Sequence, residues 1–445
     1  MIVMKFGGTS VGSADSIEKG IKIISSEKRD RIVVLSAFSG VTNFLVEINC
    51  QYEKDNKSIN ETIEKLEKRC LDVVRPLFKT ATYLQVAENF IALKMSEVRS
   101  LIGEPFNRLN TKKIVAQGEI ISTNIFQFSL QEKAIQSSLI SAFDFMFLDD
   151  KNEPDLDVIS QNINSLLDSY KDSLFVTQGF VCKDSKGFVS NLERGGSDYT
   201  ASLIGAAVGA TEIQIWTDID GMHNNDPRYV ENTFCIDEIS FDEAAELAYF
   251  GAKILHPQSL IPAKNNNIPV LLKNTFDSTQ KGTVIKNSAV NKGVTSIAAK
   301  DGITAIKIKS YRMLLAYGFL KKVFEVFEVY KTPIDMITTS EVAVSLTIDQ
   351  QKNLPKIITD LKEFGAVEVD ESLSIVCVAG DFSQNKEGLS AQVFSALQNI
   401  PIRMISYGGS NYNISLLVKT SQKVKALNAL NNQLFKDRLP EKYLN

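Results

Sequence analysis

Across the first 290 residues, short β-branched runs alternate with longer stretches of helical period, and no other feature constrains the fold as much. Strand followed by helix followed by strand is the pattern of α/β layering around a mainly parallel sheet. Strands are expected at Ile2–Phe6, Arg31–Leu35, Leu174–Val181, Glu212–Thr217 and Pro269–Lys273. Between them Ile59, Ile63, Leu66, Cys70 and Val73 recur at helical spacing, as do Ile159, Ile163 and Leu166, so each set lines one face of a helix that covers the sheet. Residues 50–115 are helical in pattern without a clear strand and read as an excursion from the sheet.

At 445 residues the chain exceeds what one core of about 150 residues needs. Its character changes near Lys286–Gly293, where KNSAVNKG is polar and aperiodic. We place the boundary there, with one domain over 1–290 and a second region over 295–445. The second region contains an internal duplication. Gly318, Val323 and Phe324 recur as Gly388, Val393 and Phe394; Pro333–Ile337 recurs as Pro401–Ile405; SEVAVSL at Ser340 recurs as SNYNISL at Ser410. Each copy reads as a helix, a turn and a strand of alternating apolar residues such as Val342, Val344, Leu346 and Ile348. Two small βαββαβ units that pair through their sheets follow from this, more suited to sensing or oligomerisation than to chemistry.

Acidic residues number 53 against 49 basic ones, well mixed, so no long-range field draws nucleic acid or an anionic membrane to the chain. A bound anion must therefore be held by a local site. Cys50, Cys70, Cys182, Cys235 and Cys377 are far apart, without the spacing of a zinc site, and most are expected to be buried thiols. The amino terminus turns polar after six residues and no apolar run approaches membrane-spanning length, so the protein is expected to stay in the cytoplasm.

Four segments could carry chemistry. Lys5-Phe6-Gly7-Gly8-Thr9-Ser10 follows a short strand; paired glycines let backbone N–H groups approach an anion, and the lysine adds a point charge. An ordinary tight turn would use the same residues. Ser36–Thr42 sets hydroxyls and a glycine at the end of the next strand, where open α/β sheets place ligands, although Ser39 or Thr42 would equally cap a helix. Glu193–Thr200 opens a small-residue helix; Arg194 can grip a carboxylate or phosphate bidentately, and Asp198 either caps the helix or orients cationic groups around a transferring phosphoryl. Trp216–Arg228 is a loop rich in acidic and turn residues that suits a nucleotide, with Arg228 on the phosphate side.

Lys253, after Gly251, can reach a phosphate or simply be solvated; His223 and His256 are too few for a triad or a histidine-rich metal site. Lys5, Arg194, Arg228 and Lys253 with their Gly-containing turns supply charge and positioning without a convincing base, which fits phosphoryl transfer. A carboxylate acceptor, already ionised at pH 7, would need none.

KFGGTSV at Lys5–Val11, SAFSGVTN, Gly118-Glu119, RGGSDYTA at Arg194–Ala201, WTDIDG followed by DPR, FGAKILHP at Phe250–Pro257 and TTSEV at Thr338–Val342 together resemble aspartate kinases of the amino-acid kinase superfamily. The resemblance runs from residue 4 to about residue 420. It implies a three-layer, mainly parallel α/β kinase domain followed by two ferredoxin-like βαββαβ ACT units, one over about 310–375 and one joining 295–309 to 376–445. It implies Mg-ATP-dependent phosphorylation of the aspartate β-carboxylate, homodimers built through the ACT units, and lysine as effector.

Carried over by position, Lys5 and Asp198 serve the transfer; Gly7 and Gly8 contact the ATP phosphates. Ser36, Thr42, Glu119 and Arg194 hold aspartate, with Glu119 facing its ammonium and Arg194 its α-carboxylate. Thr217, Asp218, His223, Arg228 and Lys253 line the nucleotide pocket, His223 standing where the family often has tyrosine. Met313, Phe319, Leu320, Asp335, Thr339, Ser340 and Glu341 match lysine-binding positions, and Ala316 replaces a serine found in some members.

Overall fold

The computed structural model describes residues 1–192, 195–250, 255–287, 293–310, 317–382 and 387–438. Lys253, Arg194 and Met313 lie outside the described residues, as does Ala316. The chain divides into two compact units, the first made of Met1–Met222, Asp237–Phe241 and Leu255–Ala289, the second of His223–Ile236, Asp242–Ile254 and Val290–Asn445. Packing thus groups two segments from the first 290 residues with the carboxyl-terminal part.

In chain order the strands of the first unit are β1 (Ile2–Phe6), β2 (Arg31–Leu35), β3 (Ser138–Leu139), β4 (Leu174–Gln178), β5 (Val181–Lys183), β6 (Val189–Asn191), β7 (Ile213–Thr217), β8 (Glu238–Ile239), β9 (Val270–Asn274) and β10 (Thr283–Ile285). Apart from the β5–β6 hairpin they form one sheet in the order β3-β4-β2-β1-β7-β9-β10-β8. All neighbours are parallel except β9 and β10. β1, β2 and β4 are buried along their whole length, as parallel strands covered on both faces must be.

The strand expected over Leu174–Val181 stops at Gln178. A Cβ at Gly179 would stand 2.4 Å from Ser197, and Phe180 takes φ 67°, so the chain turns there and resumes as β5.

The helices are α1 (Ala14–Ser26), α2 (Val41–Glu53), α3 (Ile59–Leu77), α4 (Ala81–Ile102), α5 (Arg108–Glu132), α6 (Ala142–Phe145), α7 (Leu156–Asp168), α8 (Gly196–Ala207), α9 (Phe241–Phe250) and α10 (Ile261–Asn265). The apolar face expected from Ile63, Leu66, Cys70 and Val73 is buried in one core with Phe6, Leu35, Ile121 and Phe126, so the 50–115 excursion packs on the sheet through α5. α1 starts at a reciprocal cap, where the Ser13 hydroxyl accepts from the Ser16 amide and Ser16 accepts from the Ser13 amide. Among the described residues no helix is long and apolar enough to cross a membrane.

The carboxyl-terminal part runs β11 (Val294–Lys309), α11 (Phe319–Val329), β12 (Ile337–Thr339), β13 (Ala343–Ile348), α12 (Leu354–Leu361), β14 (Ala366–Gly380), α13 (Leu389–Ala396), β15 (Met404–Tyr407), β16 (Asn413–Lys419) and α14 (Lys423–Leu434). Its antiparallel sheet has the order β12-β13-β11-β14-β16-β15. The duplication is visible in the backbone: α11 and α13 each begin at a left-handed glycine, Gly318 at φ 79° and Gly388 at φ 80°.

Each copy has its own core, one around Ile306, Val323, Val344 and Ile357, the other around Ile297, Val376, Val393, Leu416 and Leu427. The resemblance implies that residues near 295–309 can complete the second copy, and β11, which spans them, pairs with strands of both. Thr304–Lys309 pair with β13 of the first copy, while β11 pairs with β14 along its whole length. A register shift at Asp301-Gly302, with Gly302 at φ 77°, bends the strand between its two tasks. The Thr338 hydroxyl donates to the Ile405 carbonyl at 3.3 Å, so the repeats touch at equivalent edge strands.

Candidate active site

The parallel register sets the ends of three strands side by side: Phe6 of β1 lies opposite Leu35 of β2 and Trp216 of β7. The turns that follow these strands are laced together. The Gly7 amide donates to the Trp216 carbonyl at 3.0 Å, Ser36 to the Phe6 carbonyl at 3.2 Å and Ser39 to the Gly8 carbonyl at 3.1 Å. A Cβ on Gly8 would come within 3.1 Å of the Ala37 carbonyl, and one on Gly12 within 2.9 Å of the Gly8 carbonyl, so only glycine allows the turns to lie this close. Ligand sites of open parallel sheets form at such carboxyl ends.

Lys5 points along this edge, and its Nζ is 2.6 Å from Asp198 Oδ1, in the first turn of α8. The two side chains are 11% and 15% exposed, a semi-buried pair that orients the ammonium without removing it from the site. Asp198 therefore does not cap its helix; the cap position is Gly195, at φ 72°, which supplies no side-chain bond. The N-terminal amides of α8 keep their dipole toward an incoming anion.

Glu119, on α5, is 5% exposed. Its Oε1 accepts from the Ala37 amide at 3.2 Å, and among the described residues its buried Oε2 has no hydrogen-bond partner. Burial pushes its carboxyl up to about 8, against the Ala37 hydrogen bond and the charge of Lys5. α5 can approach because of its neighbour: a Cβ on Gly118 would lie 2.8 Å from the Ala37 methyl and 3.1 Å from Leu45.

Ser36 is half-buried, its carbonyl accepting from the Ser122 hydroxyl at 2.7 Å; Thr42 is exposed in the first turn of α2. Thr217 ends β7 and donates to Asp218 Oδ1 at 3.1 Å. Its carbonyl accepts from Thr275, whose hydroxyl bonds Ser10 at 2.7 Å.

The structure thus gathers Lys5, Gly7, Gly8, Ser36, Glu119, Asp198 and Thr217 of the first unit on the laced strand ends and the helices beside them. His223 and Arg228 belong to the second unit. His223 Nδ1 lies 3.1 Å from the Thr233 hydroxyl, and the Arg228 guanidinium is gripped by Asp226 at 2.9 and 2.6 Å. Of the expected effector positions, Phe319 and Leu320 open α11, and Thr339, Ser340 and Glu341 are exposed at the end of β12. The Asp335 side chain is 1% exposed and bonded to Lys300 at 2.8 Å and to the Tyr249 hydroxyl at 2.9 Å.

Sequence reasoning passes over Phe180. An aromatic residue at φ 67° is strained, and its position is held from both sides: its amide donates to the Thr200 hydroxyl and its carbonyl accepts from Leu192, each at 2.8 Å. The signal is Gly179-Phe180 at the true end of β4, three residues before the expected end at Val181.

Among the described residues no group of three or more His, Cys, Asp or Glu side chains is gathered.

The Amino acid kinase family matches residues 1–274, and an ACT domain matches residues 376–434. The chain is 34% identical to the lysine-sensitive aspartokinase 3 of Escherichia coli, over 98% of this chain and 99% of that protein, and 33% identical to the chloroplastic aspartokinase 2 of Arabidopsis thaliana, over 97% and 84%. Among solved structures, Escherichia coli aspartokinase III in complex with aspartate and ADP superposes with a TM-score of 0.84 at 33% identity, covering 98% of this chain and all of that one. Aspartate kinase of Clostridium acetobutylicum gives the same TM-score at 26% identity, with 98% of this chain covered and 100% of that one. With its kinase region matched over more than half its length and whole-chain likeness to these enzymes, the chain belongs to the aspartokinases of the amino acid kinase family and carries an ACT region at its carboxyl end.

Proposed function

We propose that the protein transfers the γ-phosphoryl of Mg-ATP to the β-carboxylate of L-aspartate, and that lysine inhibits it. The single observation that carries the reading is the Lys5–Asp198 pair at the laced strand ends, with a buried, half-partnered carboxyl at Glu119 close enough to feel the lysine's charge. Lys5 and the α8 amides meet the negative charge of the transferring group, and Asp198 holds the ammonium in place. Glu119 meets the acceptor's ammonium. Ser36, Thr42 and Arg194 hold the rest of aspartate, while Gly7, Gly8, Thr217, Asp218, His223, Arg228 and Lys253 contact the nucleotide.

The acceptor oxygen attacks phosphorus as the bond to the ADP oxygen breaks; an ionised carboxylate brings its own electron pair, so no proton is removed and no base is needed. The product is an acyl phosphate. Purified protein given aspartate, ATP and hydroxylamine should form aspartyl hydroxamate, and Lys5→Ala or Asp198→Ala should lower the rate by on the order of 10²–10³. Hydroxamate from glutamate but not aspartate, or full activity in the Lys5→Ala variant, would reject the reading.

Lysine as effector is supported by the likeness to the lysine-sensitive Escherichia coli enzyme, one structure of which was solved with lysine and aspartate. Met313, Phe319, Leu320, Asp335, Thr339, Ser340 and Glu341 form its site in this reading, and homodimers assemble through the ACT units. An inhibition series with lysine and threonine decides which amino acid acts.

A further inference from the structure

We propose that Asn431 is a positioning residue for the nucleotide, because its buried amide fixes the register of loop 223–236, the segment that carries His223 and Arg228. This rests on the reading above that the loop contacts ATP. α14 belongs to the second βαββαβ copy, and Ala426, Leu427 and Leu430 lie in that copy's core. Asn431, on the same helix, is 0% exposed, at a place where an apolar residue would pack without desolvating an amide.

Among the described residues, its side-chain hydrogen bonds all go to the loop. Oδ1 accepts from Asn224 Nδ2 at 2.9 Å and from Asn225 Nδ2 at 3.3 Å, and Nδ2 donates to the Asn232 carbonyl at 3.4 Å. The partners are tied down in turn. The Asn224 amide donates to the Phe234 carbonyl at 3.0 Å, its Oδ1 accepts from the Phe234 amide at 2.8 Å, and its carbonyl accepts from the Ile297 amide of β11 at 2.8 Å. Asn225 Nδ2 also reaches the Leu427 carbonyl at 3.2 Å, and Asn428 Nδ2 the Tyr229 carbonyl at 3.1 Å.

Adhesion alone is already supplied by apolar groups. Val230 is buried in the second copy's core, and the Phe234 ring meets Phe435 edge-on at 5.5 Å. Apolar contacts tolerate sliding by an ångström or two, whereas a satisfied amide network admits one arrangement. Asn431 therefore selects that arrangement, and through it the place from which Arg228, three residues beyond Asn225 and gripped by Asp226, is presented. An ACT helix in this way contributes to substrate binding without touching substrate.

The test uses the full chain. Asn431→Leu keeps the bulk and removes every bond to the loop; it should raise KM for ATP about tenfold, equivalent to about 1.4 kcal/mol, while KM for aspartate stays within twofold. Calorimetry with Mg-ADP should show the same tenfold loss, and combining Asn431→Leu with Asn224→Ala should cost no more than the larger single effect. Should Asn431→Leu fail to fold, Asn428→Ala, which at a partly exposed position loses one bond to the loop and one to the Val424 carbonyl of its own helix, should still raise KM for ATP a few-fold. Arg228→Ala separates the two readings. If it raises KM for ATP while the Asn431 and Asn428 variants, folded, leave it unchanged or raise both KM values equally, the positioning role is overturned and the nucleotide loop stands; if Arg228→Ala leaves KM for ATP unchanged, both fall.

Discussion

Glu119 shows how one side chain can be prepared for its ligand by being uncomfortable without it. Its carboxyl, lifted to about 8 chiefly by burial, holds a proton at neutral pH in the free protein. A ligand ammonium beside Oε2 would restore ionisation, so aspartate binding at pH 7 should release close to one proton, read by calorimetry in buffers of different ionisation enthalpy. As pH falls below about 8 the competent, ionised fraction shrinks, and KM for aspartate should rise toward tenfold per unit. A flat profile from pH 6 to 8 would refute the ammonium role. For stability the sign is the reverse of an ordinary ion-paired carboxylate: the folded state keeps a proton that the unfolded chain gives up near pH 4.5, so this group's contribution is present at low pH and is lost as pH rises through 8. Glu119→Gln should accordingly gain stability relative to the parent at pH 9. Of this, the sequence offered only the Gly118-Glu119 pair; burial depth, and with it the shifted ionisation, depends on how closely α5 packs, which one chain of letters does not encode.

The element that sets this distance is α5, and Gly118 is what lets it in. Gly118→Val would drive a branched side chain into the Ala37 methyl and Leu45, where contacts are already under 3.2 Å for a bare Cβ. Overpacking of this kind costs about 1–3 kcal/mol, and because the displaced wall carries the Ala37 amide that bonds Glu119, chemical denaturation and KM for aspartate should both worsen, with KM for ATP much less affected. Elements were the most legible scale. Ile2–Phe6 and Arg31–Leu35 match the expected strands to the residue, and the buried stripe of α3 is the one its spacing implies. The misreading of β4 came from extending an apolar run through Gly179 and Phe180, where a positive φ, set by the packing of α8 against the turn, ends the strand.

For the whole molecule, the repeat at Gly318 and Gly388 was readable as two copies, but not the sharing of β11 and β14 between them, since strand pairing is a long-range choice that local pattern leaves open. The sharing has thermodynamic content: the cores around Val323 and Val393 hang on the same two strands. Gly302 at φ 77° is their hinge, with open space where a Cβ would sit, so Gly302→Val should cost about 1 kcal/mol or more through backbone strain alone. Its effect should be a single shifted transition for both copies, followed by intrinsic probes in each; two transitions moving apart would show that the copies fold independently.

Because each copy borrows half a strand from a ladder that the other completes, neither can be lifted out as a module. Anyone wishing to graft this region onto another enzyme would have to transplant the pair entire, and a mutation that strains one copy will be felt mechanically in its twin.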